Sequence, residues 1–187
     1  ELAALIEEGG DQRPPLVAEH ADRPVPLANA QQRLWLLNRV DPQSPAYNVP
    51  FAVDLDGDLD VAALSAALHD VVTRHAVLRT VFPDTETGPV QTVVPATVDL
   101  TPTEDETAFA ARGFDLTTEP PLRAALFEVA PHRHTLAVVL HHIASDGASF
   151  LPFARDTLTA YEARSRGQDP DWAPLAVQYA DYTLWQR

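Results

Sequence analysis

The chain contains no cysteine and no methionine, and all 13 of its basic residues are arginine. Without cysteine it can form no disulfide, thiolate metal site or cysteine nucleophile. The 27 acidic residues outnumber the arginines and leave a formal net charge of −14. Because such a charge repels phosphate backbones and anionic lipid surfaces, we expect neither nucleic acid nor membrane as a partner.

Long apolar runs are also missing. None exceeds the five residues of Leu136-Ala-Val-Val-Leu140, far fewer than the roughly 20 residues of a membrane-spanning helix. The first residues are acidic, whereas a secretory signal begins with basic ones, so we expect a cytoplasmic protein. With 187 residues, of which 45% are hydrophobic, the chain is long enough for one globular domain with a sizeable core.

The first 26 residues differ in pattern from the rest. Glu1–Glu8 is predicted to be the end of an amphipathic helix, which Gly9 and Gly10 terminate. Residues 11–26 hold four prolines and no periodicity, which is typical of an extended linker. We therefore divide the chain into the tail of an upstream domain (1–9), a linker (10–24) and one domain (25–187).

Hydrophobic periodicity predicts both helices and strands in residues 25–187. Asn29 and Gln32 predict a capped helix start. Asp60 predicts a second helix, with a buried stripe of Val61, Leu64, Leu68, Val71 and Val72. Further helices are predicted at 104–112, 149–164 and 178–187, and strands at 48–55, 78–82, 90–94, 122–129 and 135–143. We expect an α+β fold, an α/β sandwich in which helices pack on a mixed β-sheet.

The most informative chemical pattern is His141-His142-Ile-Ala-Ser-Asp146-Gly147, where the most apolar predicted strand ends. Neighbouring side chains on a strand point in opposite directions, so one histidine can face a cavity while the other packs behind it. Imidazole titrates near neutrality and can accept a proton from an attacking amine or hydroxyl. Asp146 can hold an arginine or cap the next helix, and Gly147 lets the backbone turn sharply or approach a ligand closely.

Other interpretations of these residues stay open. The two histidines could pack beside a helix-capping aspartate and have no chemical role. His132, His134, His141 and His142 could gather around a metal, but their spacing matches no zinc motif, so we predict no metal site. A G-x-S-x-G nucleophile motif is missing from the sequence, which favours direct transfer with histidine as the base.

Four stretches resemble, in order and spacing, the motifs of the condensation domains of nonribosomal peptide synthetases. They are Pro26–Trp35, Arg74–Phe82, His141–Gly147 and Gln178–Arg187. Two positions depart from the family pattern. Asn29 stands where the family often has serine, and Ala148 stands where it usually has tryptophan. The smaller residue at position 148 predicts a wider cavity or a specialised acceptor.

The resemblance implies a lobe similar to chloramphenicol acetyltransferase, one half of a two-lobe pseudo-dimer with the active site in a tunnel between the lobes. The implied reaction joins a thioester on an upstream carrier domain to the α-amine held on a downstream carrier domain. The 4′-phosphopantetheine arms of the carriers deliver both substrates, and no cofactor is expected on the lobe itself. Further implied partners are the C-terminal lobe, without which this lobe is expected to be inactive, and the adenylation domain of the same synthetase.

The resemblance also implies roles for the motif residues. His142 is implied to be the catalytic histidine, His141 to support it, and Asp146 to be structural beside Gly147. The motif surroundings resemble the subclass that accepts a donor ending in a D-residue.

Residues around the motif are further candidates. Ala148, Ser149 and Arg33 are the expected substrate contacts, with a structural ion pair as the alternative for Arg33 and for Arg79. The aromatic residues of the matched motifs are expected in the core: Trp35, Phe82, Tyr179 and Trp185.

Three other functions remain as alternatives. Epimerisation domains share the HHxxxDG motif but differ in their opening motif. A lobe on this fold can also act only as a surface that recruits carriers. By the same resemblance, residues 1–9 look like the end of an upstream peptidyl carrier domain. A free-standing acyltransferase that uses coenzyme A is the most distant alternative, because this tail and the linker argue against it.

Overall fold

The computed structural model describes residues 14–18, 24–102 and 104–187, so the predicted helix at Glu1–Glu8 lies outside it. The strands are β1 (Val25–Pro26), β2 (Asn48–Asp56), β3 (Thr80–Val81), β4 (Val90–Val93), β5 (Leu122–Ala130) and β6 (Arg133–His141). The helices are α1 (Asn29–Val40), α2 (Val61–Arg74), α3 (Glu106–Ala111), α4 (Phe150–Arg164) and α5 (Tyr179–Gln186).

A three-stranded sheet in the order β2-β6-β5 forms the centre of the fold. β6 pairs with both neighbours in antiparallel register, with Asn48 opposite His141 and Leu122 opposite Leu140. From Thr135 to His141 every side chain of β6 is buried. The prediction that this apolar segment is a central strand covered on both faces is confirmed.

Alternate side chains of β6 pack into two hydrophobic clusters, one on each face of the sheet. Leu136, Val138 and Leu140 pack with residues of α2 and α4. Ala137 and Val139 point to the other face, where they pack with buried aromatic and aliphatic residues that include Leu27, Phe82 and Phe114. His141 follows the same alternation and therefore belongs to the second face.

The predicted α+β class is confirmed. Every pair of strands within the described ranges is antiparallel, so those ranges lack the parallel pair that a mixed sheet would include. A second, smaller sheet has the order β1-β4-β3, with Val25 opposite Gln91. Val25–Pro26 thus closes the proline-rich stretch as an edge strand, a position in which proline is tolerated.

Helix α1 begins at Asn29, one residue earlier than it would with Asn29 as the predicted N-cap. The residue before the helix is Ala28, whose backbone N–H donates to Oε1 of Gln31 at 3.1 Å. The predicted pairing of Asn29 with Gln32 is therefore wrong by one residue, because a glutamine side chain reaches back to the N–H three positions earlier. Gln32 instead donates to the carbonyl oxygen of Leu27 at 3.2 Å.

Helix α2 begins as predicted. Oδ1 of Asp60 accepts a hydrogen bond from the N–H of Ala63 at 2.9 Å. Most of the predicted stripe is buried, but Val61 in the first turn is 43% exposed, so the stripe starts one turn later, at Leu64.

The predicted strand at 78–82 is shorter than expected. Residues Ala76–Arg79 form a 3₁₀ turn, and only Thr80–Val81 is a strand. Two hydrogen bonds favour the turn: Oγ1 of Thr80 donates to the carbonyl of Ala76, and Nη1 of Arg79 donates to the carbonyl of Val94, each at 2.7 Å. Arg79 is thus structural, with a carbonyl as partner. None of the described helices is long and apolar enough to cross a membrane.

Candidate active site

The two histidines of the motif lie at the carboxyl end of β6 and have opposite environments. His141, the last residue of β6, is 2% exposed, whereas His142 is exposed. The ring of Phe114 packs edge-on against His141, with centroids 5.9 Å apart. The prediction that one histidine packs while the other stays accessible is confirmed, and it follows from the alternation of side chains along a strand.

The buried ring of His141 is held neutral. Its Nδ1 accepts a hydrogen bond from the N–H of Ile143 at 3.1 Å, so the ring proton resides on Nε2. Burial, with a smaller contribution from His142, lowers the pKa of His141 to about 4. A group that stays neutral at physiological pH and is enclosed by protein suits a supporting role.

His142 has the opposite tautomer. Its Nδ1 lies 2.6 Å from the carbonyl oxygen of Ser145. A carbonyl oxygen can only accept, so Nδ1 carries the proton and the neutral ring keeps a lone pair on Nε2. The backbone N–H of His142 donates to the carbonyl of Tyr47 at 2.9 Å, which anchors the residue beside β2. This arrangement leaves one ring nitrogen able to accept a proton.

Asp146 closes the turn that leads into α4. Its Oδ1 accepts from the N–H groups of Ala148 and Ser149, both at 3.0 Å, and from the hydroxyl of Ser149 at 2.8 Å. The Ser149 hydroxyl is the largest cause that holds the pKa of Asp146 below its ordinary value. The Asp146 carboxylate thus caps the turn at 147–149, and Ser149 is the N-cap residue of α4 itself. Among the described residues, no arginine forms an ion pair with Asp146.

Gly147 does not have the backbone conformation that favours glycine, and a Cβ there would meet no atom within 4 Å. The described residues therefore do not require glycine at this position. Its predicted role beside a ligand stays a prediction.

A cavity of about 410 Å³ opens beside His142. Its wall consists of residues 142–146, the first turns of α1, Val77, Ser149 and Tyr179. Gln31 of α1 anchors the His141–Gly147 segment, since its Nε2 donates to the carbonyl of Ile143 at 3.5 Å. The cavity therefore brings together residues of all four matched motifs.

Tyr179 is a cavity residue that the sequence interpretation placed in the core. It is half-buried and lines the cavity that contains His142. Burial, together with Tyr182 and Asp146, raises the pKa of Tyr179, so its hydroxyl stays protonated at neutral pH. The core assignment holds for Phe82, which is fully buried, and Trp35 packs against the same cluster.

The predicted substrate contacts fall in different places. Ser149 lines the cavity beside His142, and Ala148 lines an adjoining cavity of about 280 Å³. Arg33 is exposed on α1 and lines neither of these two cavities. Its predicted contact with substrate stays a prediction.

A buried ionic cluster beside the second cavity was not foreseen. Asp156 of α4 is 4% exposed and accepts from Nε of Arg74 at 3.0 Å, with Nε2 of His75 at 2.9 Å. The only sequence signal was the position of Arg74 and His75 at the start of a matched motif. In the part of the chain that the structure describes, no three histidine or acidic side chains gather as a metal site.

Comparisons with known proteins agree on one family. The model of the family described as "Condensation domain" matches residues 21–187. A dimodular nonribosomal peptide synthase of Bacillus subtilis is 45% identical over 199 residues, which is 100% of this chain and 8% of that protein. The chain therefore spans less than a tenth of that relative.

Two solved structures show the same likeness. The X-domain from teicoplanin biosynthesis, solved in complex with OxyB, superimposes with a TM-score of 0.86 at 40% identity, over 95% of this chain and 41% of that one. The starter condensation domain of rhizomide synthetase RzmA gives a TM-score of 0.71 at 26% identity, over 83% of this chain and 41% of that one.

Proposed function

This chain belongs to the condensation-domain family, and we propose that it takes part in peptide-bond formation during nonribosomal peptide synthesis, with His142 as the proton acceptor. The observation that carries the proposal is the hydrogen bond from Nδ1 of His142 to the carbonyl of Ser145, 2.6 Å long. It leaves Nε2 free on a residue that lines an open cavity. This is the geometry that a general base needs.

The proposed reaction is acyl transfer between two carrier-bound groups. The α-amine of the acceptor attacks the carbonyl carbon of the donor thioester and forms a C–N bond. Nε2 of His142 takes the proton that the amine nitrogen loses. The C–S bond then breaks, and the pantetheine sulfur leaves as a thiolate, which regains the proton.

The demand on His142 as a base is modest. An α-amine has a pKa near 8, so an appreciable fraction is already neutral at pH 7. Positioning of two tethered substrates supplies much of the rate, and a general base typically adds about 10²- to 10⁴-fold. His142 therefore orients the amine first and removes its proton as the new bond forms.

The proposed partners are an upstream and a downstream carrier domain, whose 4′-phosphopantetheine arms deliver the two substrates, and the adenylation domain of the same synthetase. The lobe is expected to act together with a C-terminal lobe. The similarity to solved proteins of which this chain covers 41% supports that expectation. A donor ending in a D-residue and an L-acceptor remain the proposed stereochemistry.

A second candidate function is recruitment of a partner protein without catalysis. The likeness to an X-domain solved in complex with OxyB favours it, with a TM-score of 0.86. A lobe that only recruits a partner protein does not need a proton acceptor, whereas Nε2 of His142 is free to accept a proton in an open cavity. We therefore place condensation first.

The test is an intact-mass condensation assay. It uses the complete two-lobe domain, an upstream carrier loaded with a D- or L-aminoacyl donor and a downstream carrier loaded with an acceptor. We expect dipeptidyl product on the downstream carrier, and loss of that product with His142→Ala. His69→Ala is the matched control, because His69 is exposed on α2.

Each other outcome points elsewhere. Exchange of the α-proton on one carrier-bound residue, without dipeptide, would indicate epimerisation. Carrier binding with neither product nor exchange would indicate a recruiting lobe. Full turnover by His142→Ala would remove His142 from the mechanism.

A further inference from the structure

A second cavity adjoins the one that holds His142. Its volume is about 280 Å³, and it shares Ser145, Asp146 and Ser149 of the motif loop with the first cavity. Ala148 lines only the second of the two. We call this second space the Ala148 chamber. It lies between the start of α4, the 3₁₀ turn and the end of β6.

Most of the chamber wall is hydrophobic. Its larger apolar residues are Val77, Leu78, Leu140, Pro152 and Phe153. Three of them, Leu78, Leu140 and Phe153, belong to the buried cluster between the central sheet and helices α2 and α4. The chamber is thus an extension of that cluster toward the active-site loop, with a wall fixed by packing.

The polar side chains of the chamber have partners inside the protein. His75 is hydrogen-bonded to Asp156 at 2.9 Å. The hydroxyl of Ser145 donates to the carbonyl of His141 at 3.3 Å. Asp146 and Ser149 are bonded to each other at 2.8 Å. A ligand in the chamber therefore finds apolar surface and no lysine or arginine to pair with a negative charge.

We propose that the Ala148 chamber binds an uncharged, apolar side chain of a carrier-bound aminoacyl group while its reacting atoms lie beside His142. The proposal rests on the proposed function and adds the substrate class to it. The volume, about 280 Å³, lies just below the roughly 300 Å³ at which pockets for drug-sized ligands start, so the chamber has room for one amino-acid side chain. Branched aliphatic and phenyl side chains are the occupants that such a wall selects.

Ala148 is the residue through which this selection acts. Its side chain ends at a methyl group, and the residue is exposed at the chamber wall. A larger residue at this position would project into the chamber and would not disturb the buried core. Ala148 is therefore a specificity-determining residue, and it stands apart from the proton transfer at His142.

The first experiment varies the substrate and the size of residue 148. Glycyl, alanyl, leucyl, phenylalanyl and lysyl groups are loaded on the acceptor carrier with one fixed donor, and then on the donor carrier with one fixed acceptor. For one of the two carriers, we expect the complete domain to prefer leucyl and phenylalanyl groups. Ala148→Trp should lower kcat/KM for these two by about tenfold or more and leave glycyl and alanyl groups within about twofold.

A matched variant controls for a bulky substitution as such. Ala154→Trp introduces the same side chain on α4, in a different apolar groove of about 230 Å³ that shares Phe153 but no motif-loop residue with the chamber. We expect it to leave the substrate preference unchanged. Ala148→Leu is a milder second variant, and thermal unfolding of all three reports whether each one folds.

A binding measurement separates this proposal from the proposed function. Phenylalanyl and glycyl N-acetylcysteamine thioesters are titrated calorimetrically into the complete domain carrying His142→Ala, with and without Ala148→Trp. We expect tighter binding of the phenylalanyl compound, lost on adding Ala148→Trp. This preference, together with a parent domain that retains His142 and still forms no dipeptide in the condensation assay, would retain the chamber and overturn the proposed function.

Three results would overturn the chamber as a side-chain site. One is an equal loss of activity for all acyl groups in folded Ala148→Trp. Another is a preference for lysyl groups, which would indicate pairing with Asp146 in place of apolar burial. The third is the same affinity for both thioesters regardless of residue 148.

Discussion

Nδ1 of His142 lies 2.6 Å from the carbonyl oxygen of Ser145, and this hydrogen bond determines which ring nitrogen can accept a proton. Because the carbonyl cannot donate, the proton stays on Nδ1 and the lone pair stays on Nε2. His141 has the reverse assignment, since its Nδ1 accepts from the N–H of Ile143 at 3.1 Å. Two adjacent histidines are thus held in opposite tautomers by backbone groups of one loop.

Replacement of His142 by asparagine or glutamine should separate loop structure from proton transfer. The asparagine amide can replace Nδ1–H and donate to Ser145, whereas neither amide can act as a base. We expect both variants to lose about 10²- to 10⁴-fold in dipeptide formation, and the asparagine variant to keep the melting temperature of the parent. A melting temperature that falls with the activity would show that the ring is structural.

The stability of the fold should depend on pH through His141. The folded protein holds the pKa of His141 near 4, below the ordinary value of 6.5, so it binds fewer protons than the unfolded chain between these values. The free energy of unfolding should therefore fall as the pH falls from about 6.5 to about 4, by up to about 3 kcal/mol from this residue. Urea unfolding at several pH values measures the slope.

The control for this slope is His141→Asn. The asparagine oxygen can accept from Ile143 in place of Nδ1, and the side chain does not titrate. We expect a lower free energy of unfolding at pH 7 but a shallower decline toward pH 4. Parallel curves for the parent and the variant would assign the acid sensitivity to other groups.

Removal of the Asp146 carboxylate should loosen the start of α4. Asp146→Ala loses three hydrogen bonds to Ala148 and Ser149, and we expect a loss of about 1 kcal/mol in unfolding free energy, the size typical of a side chain that bonds backbone N–H groups at the start of a helix. Asp146→Asn keeps an oxygen acceptor and should recover most of it. If Asn behaves like Ala, the negative charge itself is needed, and an arginine outside the described residues becomes its expected partner.

The buried carboxylate of Asp156 should matter far more than its exposed partner. Burial pushes the pKa of Asp156 up, but hydrogen bonds from His75, Arg155 and Arg74 outweigh it and hold the pKa below its ordinary value. Asp156→Ala leaves Arg74 and His75 without that partner, and we expect a loss of about 3–5 kcal/mol.

Arg155→Ala is the matched change at the solvent side of the same cluster. The Arg155 side chain is 72% exposed, so the expected loss is below about 1 kcal/mol. Chemical denaturation of both variants gives the comparison. We attribute the stability contribution of this cluster to the buried Asp156 carboxylate and not to the number of ion pairs. Equal losses from the two variants would contradict this explanation.

The sequence predicted the central sheet well because its pattern is unambiguous. A run of apolar residues at 136–140 has only one stable place, between two covered faces, and β6 lies there. Short elements were harder. Thr80 donates to the carbonyl of Ala76, four residues earlier, and Arg79 donates to the carbonyl of Val94, 15 residues later, where part of an expected strand is a 3₁₀ turn. Such hydrogen bonds from side chains to backbone carbonyls leave no periodic pattern in the sequence.

Of the candidate site, the sequence predicted only the features that follow from the HHxxxDG motif itself. Adjacent histidines at a strand end predicted one buried and one accessible ring. The two tautomers, however, depend on the backbone atoms of Ser145 and Ile143, which no side-chain pattern records. Tyr179 lines the cavity from α5, far along the chain. Because tyrosine combines an aromatic ring with a polar hydroxyl, it occurs both in cores and at cavity walls, so its residue type did not predict its location.

The opposite environments of His141 and His142 have an evolutionary consequence. We expect the buried ring to couple acidity to the stability of the fold, whereas the accessible ring borders an open cavity and should add little to stability. Two neighbouring codons would then encode traits that selection can change one at a time. If His142 is the base that we propose, a lineage can lose the chemistry at position 142 and still inherit a lobe that folds, which is how a binding module can descend from an enzyme.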